Sequence, residues 1–119
     1  MAGFEELLVW KRSCQLTVLV YKVLSGCRDR GFYDQITRAA VSIPSNIAEG
    51  AERQTWKEFI HLGDIAKGSA AELRTQLYLA HQLNIGSKQE IFPLIQEVKE
   101  ISNMLQGLIS NLKIAKPVK

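Results

Sequence analysis

Glu58 and His61 stand three residues apart in "KEFIH", a spacing that puts a carboxylate and an imidazole on one helix face, as in the carboxylate-bridged di-iron bundles. Such a centre needs a second Glu-x-x-His pair and two further glutamates. The other histidine, His81, lies twenty residues along the same predicted helix and on roughly its opposite face. Glu58 therefore reads as solvated and His61 as a surface or interface residue, with no metal or other cofactor expected. The two thiols offer little more. Cys14 and Cys27 fall in one predicted helix, about 20 Å apart and beyond disulfide reach. Arg28 beside Cys27 is the nearest candidate for activating either one, and both read as small buried hydrophobes in a reducing compartment. There is no glycine-rich phosphate loop, nucleophile elbow or paired zinc-ligand motif. The reading is non-enzymatic, with no catalytic residues and no small-molecule substrate.

A more unusual group of polar residues surrounds a proline in "AAVSIPSNIAEGAER". Arg38, Ser42, Ser45 and Glu49 line up at steps of four, three and four, and Asn46 borders them. An exposed helix face usually carries long Lys and Glu side chains, whereas these are mostly short, which suits close packing. On the following helix, Ser69 and Glu72 in "KGSAAEL" offer matching chemistry beside Gly68, Ala70 and Ala71, small enough to let two helix backbones approach. These seven polar residues are expected to form a satisfied layer between helices or subunits, with Glu72 as partner for Arg38. A ligand held by Asn46 and Glu49 is the alternative. Pro44 removes one backbone hydrogen bond, at a cost of roughly 3 kcal/mol in an ordinary helix interior. Either the helix breaks there or it continues with a kink. Both the apolar stripe and the polar one cross Pro44 in phase, which favours the kink, with a serine hydroxyl or water satisfying the freed carbonyl of Ala40.

Cations form the third constellation. Lys11, Arg12, Arg28, Arg30, Arg38, Arg53 and Lys57 could contact phosphates, and a symmetric assembly would multiply their field. Glu52, Glu58 and Asp29 are mixed among them, no recognised DNA- or RNA-reading motif accompanies them, and the net charge is only +3. Lys113, Lys116 and Lys119 belong to a short basic tail, and without them acids and bases balance.

The elements that must carry these residues follow from apolar spacing at three and four, which recurs along the chain without sustained alternation of period two. The class is all-α. The first helix is predicted from about Glu5 to Ser25, with one stripe of Trp10, Cys14, Thr17, Tyr21 and Leu24 and a second of Leu16, Val20, Val23 and Cys27. Gly26 is its expected cap. The second starts near Phe32 or Tyr33 and ends or loosens at Gly50. The third runs from a Thr55 cap to about Asn84, its core side marked by Phe59, Leu62, Ala66, Ser69, Leu73, Leu77, Ala80 and Leu83. Gly86 is the stop. The fourth, capped by Ser87, runs from about Lys88 to Leu112. The expected core is Ile36, Ile43, Ile47, Leu62, Leu73, Leu77, Leu94, Val98, Ile101 and Leu105. Short connections make this one domain of 119 residues, an antiparallel up-down-up-down four-helix bundle spanning about residues 4–112 and kinked at Pro44. No apolar run is long enough to cross a bilayer, since Lys22 interrupts "LTVLVYKVL", and no secretory signal opens the chain, so a cytosolic location is expected.

At this level of detail "RAAVSIPSNIAEG", "EFIHLGDIAKGSAAELRTQL" and the opening "FEELLVWKRSCQLTVLVY" resemble one family. It comprises the four-helix-bundle proteins first noticed as reading frames in intervening sequences of bacterial large-subunit ribosomal RNA genes. The resemblance covers about Phe4 to Leu112. It implies an up-and-down bundle, typically assembled as a ring of five, with no assigned activity. A related branch, the accessory proteins of diversity-generating retroelements, is thought to bind nucleic acid and a reverse transcriptase. The turns "SGCRDRGFYDQ" and "EGAER" depart from the commoner pattern. A homo-oligomer is also expected because the first helix carries more apolar surface than one bundle can bury, with Trp10, Tyr21 or Trp56 near the subunit contact. RNA or DNA is the alternative partner.

Overall fold

The computed structural model describes residues 3–115. After a 3₁₀ turn at Phe4–Glu6 come four helices: α1 Leu8–Val23, α2 Arg30–Ala51, α3 Trp56–Gln82 and α4 Lys88–Ala115. Each packs on its two neighbours, α1 and α3 both lying between α2 and α4. The result is a four-helix rod of 51 × 20 × 20 Å. All ten expected core residues are buried, none more than 9% exposed. Burial of each Leu, Ile or Val side chain contributes about 1.5–3 kcal/mol. Ile95 and Ile109 join them from beside the expected seam of α4.

Local chemistry explains where the boundaries depart from expectation. Leu7 is extended (φ −74°, ψ 122°), so α1 starts at Leu8 rather than Glu5. It ends at Val23, which leaves Cys27 in the following turn, its Sγ donating to the Asp29 carbonyl at 3.5 Å. Gly26 takes no left-handed conformation and is not a glycine cap. Instead Asp29 Oδ1 accepts the Phe32 N–H at 3.0 Å and begins α2 at Arg30, earlier than expected. At the start of α3, Thr55 Oγ1 accepts the Glu58 N–H at 3.1 Å. Before α4 the capping box closes both ways: the Glu90 N–H donates to Ser87 Oγ and the Ser87 N–H donates to Glu90 Oε1, each at 3.2 Å. The stop of α3 is Asn84, left-handed at φ +60°, with the Ile85 N–H donating to the Ala80 carbonyl at 2.8 Å, and not Gly86, which follows in the turn at φ +82°. Because α3 ends at Gln82, Leu83 is 60% exposed rather than part of the core. Helix α4 continues to Ala115, so Lys113 is helical; Lys116 and Lys119 lie outside the described residues.

Helix α2 runs unbroken through Pro44, which is buried. The split reading therefore fails, and α1 supplies the reason. The single Thr17 O–H is shared between two carbonyls, Ser13 at 2.8 Å and Ala40 at 3.1 Å. Ala40 is the residue whose carbonyl Pro44 leaves without its usual N–H donor. The compensating hydroxyl comes from a threonine on the neighbouring helix, not from a serine in α2.

Candidate functional site

The polar residues of α2 and α3 meet across a seam. Ser42 Oγ and Ser69 Oγ lie 2.8 Å apart. The Asn46 side-chain amide donates to the Ser42 carbonyl at 2.8 Å and to Ser42 Oγ at 2.9 Å. All three side chains are half-buried. Close approach is enforced not by Gly68, which is exposed and near no other group, but by buried Gly50. A Cβ there would stand 2.8 Å from Phe59 Cδ1 and 3.2 Å from Leu62 Cβ.

The remaining members of the expected layer separate. Arg38 and Glu72 are exposed and face one hollow of about 420 Å³, lined also by Gln35, Ala39, Ser42 and Ser69. No ion pair within 4.0 Å joins them; the pairing expected for Arg38 is not made within the chain. Ser45 is exposed. Glu49 pairs with Arg53, one turn on, and that hydrogen bond holds the Arg53 pKa above its ordinary value. Two further polar residues of these helices were not anticipated, and of the two only Gln35 lines the hollow. Gln35 stands three residues before Arg38 and seven before Ser42, in phase with both. Gln76 follows Glu72 by four and is buried, and its Oε1 has no donor.

The cations divide by partner and by place. Arg12 is bound by α4: its Nε donates to Glu97 Oε2 at 2.8 Å, its Nη2 to Glu97 Oε1 at 2.6 Å and to Glu100 Oε2 at 3.0 Å, and its Nη1 to Met104 Sδ at 3.6 Å. The Glu97 hydrogen bond above all holds this guanidinium protonated far beyond its ordinary range, against the opposing effect of burial. Arg12 is thus a tie between helices rather than a free phosphate contact. Arg30 lies 3.9 Å from Asp34 and stacks over Tyr33 at 4.8 Å. Arg53 also faces Glu58 at 3.7 Å. Lys11, Arg28 and Lys57 are exposed and have no carboxylate within 4.0 Å among the described residues. Arg28 and Arg30 sit at the α1–α2 turn and Arg53 and Lys57 at the α2–α3 turn, so α2 holds the two pairs about 33 Å apart. One chain presents no single basic patch.

Glu58 and His61 are both exposed, and Glu58 faces Arg53. Among the described residues, no three of His, Cys, Asp and Glu come together in a metal-binding arrangement. Burial pushes the half-buried Cys14 thiol up from its ordinary pKa, which disfavours the reactive thiolate. No helix among the described residues is long and apolar enough to cross a membrane.

No curated protein matches the chain. A solved structure does: a protein of unknown function from the S23 ribosomal protein family of Bacteroides thetaiotaomicron VPI-5482. It is 25% identical, with a TM-score of 0.77 over 86% of this chain and 98% of the other. The model of the 23S rRNA-intervening sequence proteins matches residues 5–107, from the first 3₁₀ turn to the last third of α4. A bundle built from the same helices and matched over most of its length belongs to the 23S rRNA-intervening sequence protein family.

Proposed function

We propose that this protein is a non-enzymatic scaffold that works as a homo-oligomer, a ring of five in keeping with the family resemblance. The observation that carries the reading is the outer side of α1. Leu8, Val18, Leu19 and Tyr21 are 60%, 51%, 46% and 42% exposed, while Leu16 and Val20 on the same helix are fully buried. Tyr21 continues across a shallow hollow to Val41 of α2, itself 39% exposed. Exposed apolar side chains also occur on α3 (Ile65, Tyr78, Leu79) and α4 (Phe92, Ile114), but α1 carries four of them, the kind of surface that a protein contact covers. Light scattering across a concentration series tests the proposal. The expected result is an oligomer at micromolar concentration that the double substitution Val18→Glu, Leu19→Glu converts to folded monomer. A wild-type monomer at that concentration overturns it.

A second reading, nucleic-acid binding in company with RNA or retroelement processes, draws on Lys11, Arg28 and Lys57, which have no carboxylate within 4.0 Å among the described residues. It depends on assembly, because each chain spreads these charges over both ends. Retention on heparin that falls with salt and disappears in the monomeric variant is the outcome that favours it.

A further inference from the structure

We infer that the α2–α3 hollow binds a small amino-acid-type zwitterion, its carboxylate on Arg38 and the serine pair and its ammonium on Glu72. Two hydroxyls joined by one hydrogen bond supply two protons and use one. Ser42 and Ser69 are so joined, and neither donates to any other group among the described residues. Asn46 already donates to Ser42 Oγ. The cooperative arrangement therefore runs from the Asn46 amide to Ser42 and from Ser42 to Ser69, leaving the Ser69 O–H as an unused donor. Ser69 lines the hollow.

The two walls of this hollow differ in what they lack. On α2, Arg38 is a guanidinium that, like Arg28 and Arg74, has no carboxylate within 4.0 Å among the described residues, and Gln35 adds an amide beside it in the hollow. Together with the spare hydroxyl these groups favour an anion of planar, bidentate shape. On α3, Glu72 is a carboxylate with no cation within 4.0 Å among the described residues. That wall carries a negative charge and favours an ammonium group. A simple anion would satisfy Arg38 and meet repulsion from Glu72; a simple cation would do the reverse. A molecule carrying both charges a few ångströms apart satisfies both walls, and about 420 Å³ accommodates one of amino-acid size.

The test uses the full chain, labelled with nitrogen-15, titrated separately with glycine, acetate and methylammonium. Amide shifts of Arg38, Ser42 and Ser69 are read by relaxation-optimised NMR. Glycine should give saturable shifts at an apparent affinity about three- to fivefold tighter than acetate, the upper scale of one added exposed charge contact. Arg38→Gln should abolish the response to both, and Glu72→Gln should bring glycine down to the acetate level while leaving acetate no weaker. Both residues are exposed, so the variants keep the fold, which circular dichroism checks. Equal affinities in the wild type, absence of saturation, or an unchanged glycine response in Glu72→Gln each overturn the inference. So do shifts at these three residues that follow protein concentration instead of glycine, because a second copy of the chain then fills the hollow. Light scattering reads the oligomeric state separately.

Discussion

Thr17 shows how one hydroxyl changes what a proline does. The apolar spacing of α1 put Thr17 in a stripe with Cys14 and Tyr21, and nothing in that pattern marks it as the donor for a carbonyl twenty-three residues away. Pro44 announced the missing hydrogen bond, but only the packing of α1 on α2 shows who replaces it. Thr17→Val keeps the shape and removes the donor, so it should cost about 1–3 kcal/mol, while Thr17→Ser should cost less. Urea denaturation of the three proteins decides this; equal midpoints would mean that the Ala40 carbonyl needs no partner. The polar face of α2 was more legible, though not its aim. A step of four residues turns a helix by about +40° and a step of three by about −60°. Measured from Ser42, Asn46 therefore turns one way and Ser45 the other, which is why Asn46 joins the seam with Ser69 and Ser45 does not. Spacing placed these residues on one face without saying where α3 would touch it.

At the scale of elements, the motifs that satisfy backbone N–H groups within four residues were readable. Thr55 with Glu58 and Ser87 with Glu90 cap the helices they were expected to cap. Asp29 was harder to read, because Gly26 and Gly31 on either side argue for coil, whereas its carboxylate holds Gly31 in the first turn of α2. Gly50 marks the end of α2 in the sequence, and α2 ends one residue later at Ala51. The glycine is required by Phe59 and Leu62 of the next helix, a contact between elements that local propensity does not encode. Gly50→Ala sets two effects against each other. The helix gains about 1 kcal/mol of intrinsic propensity, and the crowded contact loses about 1–3 kcal/mol because a ring atom and a Cβ must move. The expected net result is a lower melting temperature, partly restored when Phe59→Leu is added. A higher melting temperature for the single variant would show that the Phe59 ring yields freely.

For the whole molecule, the apolar periodicity fixed helix number, order and core, because every core position needs a partner inside the same chain. Leu73→Ala and Ile101→Ala each remove a fully buried side chain and should cost about 2–5 kcal/mol, measured at one fixed protein concentration. A neutral result at either site would remove it from the core. Periodicity could not separate Val20 from Val18 and Leu19, since it does not say whether an apolar residue is covered by its own bundle or by another chain. The packing of α1 against α4 has a topological consequence as well. Four antiparallel helices, each touching only its two neighbours, form a closed cycle, and the beginning of α1 and the end of α4 point toward the end of the rod that carries the α2–α3 turn. The covalent order of the helices is then one of several ways to thread the same solid. A chain that begins with α3, passes from α4 to α1 through a flexible linker and finishes with α2 has all the same neighbours, and the seam between α2 and α3 would be held together by packing alone.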